Sequence, residues 1–392
     1  MKTKKQGISL IVLVITIIVM IILAAAIILS LTSNGIIDRA NEAVDKTDEA
    51  EVKAYAQTIW ADAYTEGKRG TELIETVEKE LEKLGVTPMK YTLDISDSGM
   101  DIQKFDVANW EFAYVYDQET SIWSDKISAT SGMAPEGDIV VKFYNLGKEI
   151  TPSEFKFLGQ TMKFKPGNAY KMVIQGTGEM GALMTSEGSN ITGAFGWQIE
   201  TAMFARGFVD TCIIPYVTEV VICDGITNIG ECAFSGAASL QKISIANSVL
   251  SIDKMAFSYG QKLNALVIPN SVVTIAERAF EYADGLKSIT IPSSVTSIGR
   301  SAFDNCNSLT SVTIPNSVTS IVEDAFYGCS SLVSVTISNS VTSIGRYAFY
   351  GCSSLQTVNY TGSEAEWKQI AIGTQNESLT NANIIFEYTP NN

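Results

Sequence analysis

The residues that could carry chemistry are few, and their spacing assigns most of them to structure. Histidine is absent from all 392 positions, which removes the commonest general base and the commonest metal ligand together. Cysteine occurs at 212, 223, 232, 306, 329 and 352. The last three recur every 23 residues, so they occupy one structural position in successive units and read as stacked, buried, free thiols acting as small hydrophobes. One bridge among Cys212, Cys223 and Cys232 remains open, because spacing alone does not settle pairing. Gly176-Thr177-Gly178-Glu179-Met180-Gly181 has the dinucleotide-fingerprint spacing. The helix which that fingerprint needs is interrupted by Gly188, Gly193 and Gly196, so a glycine turn between strands is expected instead. Asp94, Asp97 and Gly99 have the start of a calcium loop, but Phe105 stands where its bidentate glutamate should be, and a plain turn is expected. No nucleophile–base pair and no metal cluster is found, so neither catalysis nor a cofactor is expected.

What remains for function is surface. The formal charge of −15 argues against a phosphate-tracking partner, so no nucleic acid is expected. The acidity is uneven, with 21 acids against 10 bases over residues 32–130 and 9 against 7 over 222–360. A partner of the second region is therefore not recruited by long-range charge.

The elements that would present such a surface show in the period. Phenylalanine recurs at 234, 257, 280, 303, 326 and 349, each preceded by alanine, with isoleucine five residues before and leucine six after. A fixed period in this range over six units signals a solenoid. In one unit, Leu286-Lys287-Ser288-Ile289-Thr290-Ile291, the two isoleucines lie two apart and point inward from a short strand. Pro292 ends that strand. Ser294, like Ser248, Ser271, Ser317 and Ser340, is placed to satisfy turn backbone groups as a hydroxyl ladder. Val295, Ile298 and Ala302-Phe303 return to the core. One such coil cannot bury enough to fold alone, so neighbours must stack and the ends must be capped, with 201–221 and Trp367 as candidates. The outward strand positions are Ser244, Val267, Thr290, Thr313, Thr336 and Asn359, a flat hydroxyl-rich face. Tyr259, Tyr282, Tyr327 and Tyr350 lie by the phenylalanine turns. Both sets are candidate binding faces. The alternative for both is structural: β propensity on a solvated strand and simple packing.

The Ser317–Ile321 and Ala302–Leu309 segments, S-V-T-S-I and A-F-D-N-C-N-S-L, resemble BspA-type leucine-rich repeats of bacterial surface proteins over about 170 residues. That resemblance implies a solenoid with one parallel strand per 23-residue coil. It also implies binding of host matrix or cell-surface proteins, or of partner cells.

Ahead of the repeats, Lys2, Lys4 and Lys5 precede an uncharged run from Ile8 to Leu31. Its 24 residues reach about 36 Å as a helix, enough to cross a hydrocarbon core of about 30 Å. Basic residues stay inside, which places everything after Ser33 outside the cell. Lys4-Lys5-Gln6-Gly7 before Ile8-Ser9-Leu10-Ile11 resembles the processing motif of type IV prepilins, which implies cleavage between Gly7 and Ile8. That family usually carries glutamate five residues after the cut. Val12 departs from the pattern, which bears on filament assembly but not on anchoring. An uncleaved signal anchor is the alternative.

Val52, Tyr55, Ile59 and Ala63 make a helical stripe, a second helix runs from Thr71 to Leu84, and Trp110–Tyr116 and Ser121–Trp123 read as strands. The expected fold is mixed α and β: a leader (1–7), a transmembrane helix (8–33), a pilin-like α+β stalk or head (34–126) and a linker (127–136). A β-rich lead-in and N-terminal cap (137–221), the leucine-rich-repeat solenoid (222–360) and a C-terminal cap (361–392) complete it. The expected function is adhesin-like binding of an unidentified protein or cell-surface ligand by a single-pass protein of a bacterial cell membrane. The alternative is a minor pilin or pseudopilin that displays the solenoid on a filament and engages pilus or secretion machinery.

Overall fold

Alanine spacing sets the first helical contact. Helix α1 (52–65) buries Ala56 and Ala63, two turns apart, against α2 (Gly70–Lys83), which buries Leu73, Val77 and Leu81. Val52, Ile59 and Ala63 of the expected stripe face this core, but Tyr55 is exposed and Ala56 takes its place inside. Small residues let the two helices approach more closely than a tyrosine would. Gly67 adopts a φ of +95°, which an L side chain rarely takes, and ends α1. Strands β1 (Tyr91–Ser96) and β2 (Gly99–Lys104) form a hairpin over both helices, adding Leu93 and Ile102 to this local core. The Asp97-Ser98 turn joins them, so the calcium-loop spacing is a hairpin turn.

The computed structural model describes residues 52–83, 86–104, 108–117, 122–123, 127–128, 139–157, 160–180 and 214–389. The Gly7–Ile8 junction, the 8–33 run, Leu84 and Cys212 lie outside them. Among the described residues no helix is long and apolar enough to cross a membrane.

Strands β3 (Phe112–Asp117), β4 (Ile122–Trp123) and β5 (Ile127–Ser128) follow, then β6 (Ile139–Ile150), the short hairpin β7 (Phe155–Phe157) and β8 (Gln160–Met162), and β9 (Gly167–Gly176). Here the structure departs from the expected division at 127–136. β3 pairs antiparallel with both β5 and β6, and β6 pairs antiparallel with β9. β9 then pairs parallel with β10 (Val217–Ile222), the first strand of the solenoid. One sheet thus runs from the expected stalk into the repeats, ending at Lys242–Ile245. The physical reason is the open edge of the first coil, which must be paired or covered. Met172 and Ile174 of β9 and Phe143 of β6 cover it, joining the continuous apolar spine of the repeats.

Within the solenoid each coil repeats the same moves. Ala265–Val267, Ser288–Thr290, Ser311–Ile314, Ser334–Ile337 and Thr357–Tyr360 stack in parallel as one sheet. Two-residue strands such as Ser297–Ile298 form a second ladder. The phenylalanine rings stack with centroids 5.2–5.4 Å apart from Phe234 to Phe349. Each Phe amide from 234 to 326 donates to the alanine carbonyl of the next coil, for example Phe280 N to Ala302 O at 2.8 Å. The serine ladder holds at four of the five expected positions: Ser248, Ser271, Ser294 and Ser317 each donate to the carbonyl 22 residues earlier, while the Ser340 amide donates to Ser338 Oγ. Cys306, Cys329 and Cys352 are free and buried, and their thiols donate to Phe280, Phe303 and Phe326 carbonyls at 3.1–3.2 Å. Cys223 and Cys232 are free as well.

The coil ends in a degenerate copy. Asn383–Ile385 extends the long sheet and Ala371–Ile372 the short ladder. Helix α3 (Glu364–Trp367) starts at a capping box of Ser363 and Glu366. It sets Trp367 edge-on to Tyr360, at 5.1 Å between ring centroids.

Candidate functional site

The outward strand positions line up as one column by register: Val221 with Ser244, Val267 with Thr290, Thr313 with Thr336, Thr336 with Asn359, and Asn359 with Ile385. They do not form one open surface. Ser244 and Val267 are half-buried, Thr290 and Thr313 are exposed, and Thr336 is nearly enclosed between its register partners.

The early part of the face carries a load that sequence reasoning missed. α2 and the β1–β2 hairpin lie across it. Thr71 Oγ1 meets Thr290 Oγ1 at 3.1 Å, Thr92 donates to Glu219, and Lys242 pairs with Asp94 at 3.3 Å. Lys171, on β9, is buried and donates to the carbonyls of Pro88 and Tyr91. Burial holds its ammonium down to about 8, although Glu219 at 3.7 Å pulls the other way. Trp110 and Met89 cover Tyr144, Val173 and Val221 on the same side. Between the two bodies lies a cleft of about 520 Å³, lined by Ile74, Glu78, Tyr91, Lys242, Asn264 and Ser288 among others. Burial, with Glu75 and Glu82 nearby, raises the Glu78 carboxyl to about 7. These contacts have no periodicity and are mostly polar, so nothing in the sequence pattern signals them. The contacts of α2 fall on the Ala265–Val267 and Ser288–Thr290 strands, and Ser311 and Thr313 of the next strand are exposed.

The four candidate tyrosines are brought together as two stacked pairs. Tyr259 lies on Tyr282 and Tyr327 on Tyr350, each pair with ring centroids 5.2 Å apart. Tyr347, which sequence reading did not single out, stands edge-on to Tyr350 at 5.5 Å. The guanidinium of Arg346 lies 4.4 Å from the Tyr347 ring centre.

A second feature also lacked any sequence signal. Cys232, Met255, Arg278, Ser301, Asp324 and Tyr347, each two residues before its phenylalanine, have φ between 55° and 60°. Glycine or asparagine usually marks such positions. Here the conformation turns each amide toward the next coil, as with Met255 N to Glu277 O at 3.1 Å.

Three-sided coils, stacked strands and a buried phenylalanine column define the repeat part as a leucine-rich-repeat solenoid. Its residues 214–306 and 251–378 match the model of the BspA type leucine rich repeat region, in six copies. The chain is similar to the leucine rich repeat protein of T. pallidum, with 22% identity over 47% of this chain and 83% of that one, at a TM-score of 0.36. It is similar to a leucine rich cell surface protein of Faecalibacterium prausnitzii at 25% identity, covering 40% of this chain and 62% of that one, TM-score 0.25. A leucine-rich repeat protein of Bacteroides ovatus gives 22% identity, 44% and 56% coverage and a TM-score of 0.29. No curated protein matches the chain.

Proposed function

We propose that the chain is a binding module displayed outside a bacterial cell, tethered by the 8–33 run and docking protein ligands on its solenoid. The observation that carries this reading is internal. The strand face already holds a folded surface, the α2 and hairpin unit seated on it through Thr290, Lys242 and Glu219. The same hydroxyl-rich column continues past that unit through Thr313 and Asn359. Partners of a face this neutral are selected by shape and hydrogen bonding rather than by charge steering.

The test is capture of purified host and bacterial surface proteins by the whole chain and by a Thr313→Glu/Asn359→Glu variant. Loss of capture with an unchanged circular dichroism spectrum supports the strip; equal capture removes it. A second reading, a minor pilin or pseudopilin, is favoured by the Gly7–Ile8 motif. Shearing and sedimenting filaments from cells separates the two, because a pure anchor stays with the membrane.

A further inference from the structure

We propose that the tyrosine edge of the solenoid is a second docking surface, one that takes an arginine-bearing segment of a partner protein. The proposal rests on the binding-module reading and names a partner chemistry for a different face.

The geometry begins with a break in the repeat. One column reads Ser235, Ser258, Glu281, Asp304, Tyr327, Tyr350, and its neighbour reads Gly236, Tyr259, Tyr282, Asn305, Gly328, Gly351. Backbone bonds tie the columns together, Tyr282 N to Asp304 O at 2.8 Å and Asn305 N to Tyr327 O at 2.6 Å. The aromatic stack therefore changes column at the rung that holds Asp304. Asp304 stands between the Tyr259–Tyr282 pair and the Tyr327–Tyr350 pair. Tyr282 and Tyr350 remain exposed, at 38% and 41%.

Charge decides what would dock on these rings. Over the coils from Tyr259 to Tyr350 the edge carries Glu277, Glu281, Asp284, Asp304, Glu323 and Asp324 against Lys254, Arg278, Arg300 and Arg346, six acids to four bases. Arg278 is shared by Glu277 and Glu281, and Arg300 by Glu323 and Asp324. Asp304 and Asp284 instead bond to amides, those of Asn305 at 2.6 Å and Asn307 at 2.8 Å. Burial and the charges of Glu281 and Asp324 push the Asp304 carboxyl up to about 7, with Arg278 opposing. An arriving cation would relieve that repulsion. Tyrosine faces beside carboxylates suit a planar guanidinium, which stacks and hydrogen-bonds at once. The edge already holds one such group, Arg346 on Tyr347.

Fluorescence anisotropy on the whole chain in detergent, with a labelled peptide of four Arg-Gly pairs, tests this. Saturable binding is expected, weaker for the Lys-Gly peptide. Asp304→Asn/Glu281→Gln should lower affinity at least tenfold, and Tyr282→Ala at least threefold. Glu364→Gln, an exposed acid on α3, should change nothing. Thermal melts separate loss of binding from loss of fold, since Asp304→Asn should not lower the midpoint. Equal affinity for Asp304→Asn/Glu281→Gln and Glu364→Gln would show nonspecific attraction to an acidic chain and overturn the proposal. If that happens while Thr313→Glu/Asn359→Glu still abolishes protein capture, the strand-face reading stands without this one.

Discussion

Asn376 closes the phenylalanine ladder, and removing its side chain should unravel the last coil. Every earlier phenylalanine amide finds an alanine carbonyl 22 residues on, but the last coil is longer, and Ala371, at that interval from Phe349, pairs with Ser343 in the short ladder instead. Asn376 replaces it: its Oδ1 accepts from Phe349 N at 2.9 Å. Its Nδ2 donates to Gly345 O at 2.9 Å and Gly373 O at 2.8 Å. The residue is buried, and although it precedes a short helix, its side chain makes no cap bond there. Asn376→Ala would orphan one buried donor and weaken two acceptors. At about 1–3 kcal/mol for an orphaned donor and less for carbonyls with a second lone pair, the cost is about 2–4 kcal/mol. Asn376→Asp should retain the acceptor but set a carboxylate against two carbonyls. Its folded pKa would be raised, so its stability should recover as pH falls. Urea unfolding followed by circular dichroism gives the global term, and amide exchange at Phe349 and residues 371–385 shows whether the loss is local fraying. An Asn376→Ala protein within about 0.5 kcal/mol of the parent, with equal protection at Phe349, would refute the reasoning.

Gly225 has a φ of +100°, and a Cβ there would stand 2.3 Å from Gly176 O, so Gly225→Ala should cost several kcal/mol in urea unfolding and disturb the first coil. Ser301→Gly should be neutral or stabilising by up to about 1 kcal/mol in thermal melts, because the left-handed φ of 55° outweighs the usual glycine cost. Cys306, Cys329 and Cys352 should resist a thiol reagent until the chain unfolds, since they are buried and hydrogen-bonded; labelling at the unperturbed rate of a free thiol would contradict the ladder. Asp304 is about 7 folded against about 3.9 unfolded, so the folded state binds more protons between those values and stability falls as pH rises through that window. Asp304→Asn should flatten the slope and, after discounting for solvent screening of a partly exposed group, gain about 1–2 kcal/mol at pH 8; matching urea midpoints for both proteins at pH 5 and pH 8 would contradict it.

Legibility in the sequence tracks periodicity. Phe257, Phe280 and Phe303, the Ser271 and Ser294 hydroxyls and the Cys329 thiol all repeat at 23 residues, and one position's environment is therefore tested by its copies. The strand alternation of Ile289 and Ile291 follows from geometry alone. The left-handed turn at Met255 and Arg278 was invisible because it is imposed by the ladder and not by the residues' own preferences. Helical spacing admits Tyr55 to the inward stripe, whereas close helix approach favours Ala56. The joining of β3, β6 and β9 to the first coil was hidden because an unpaired edge is a tertiary demand with no local signature. Thr71 on Thr290 and Asp94 on Lys242 are single polar pairs between distant segments, which no local pattern encodes.

On the proposed binding-module reading, that contrast also bears on where recognition would reside. A position that repeats in every coil, such as the Ala-Phe plug, serves the spine and distinguishes no partner, since each coil offers the same thing. Specificity has to come from rungs where the pattern changes. Two such places stand out in this chain. On the strand face the change is imposed from outside, where α2 and the β1–β2 hairpin cover the early coils and end before Thr313. On the turn edge it lies in the sequence itself, where tyrosine leaves one column after Tyr282 and resumes in the other at Tyr327, with Asp304 at the crossing. Moving the crossing by one coil would keep the core intact and shift the carboxylate relative to both rings. Asp304→Glu/Asn305→Tyr, which extends the first stack by one ring, should therefore keep the melting transition while moving or abolishing arginine-peptide binding. Retained fold with unaltered binding would show that the crossing carries no recognition.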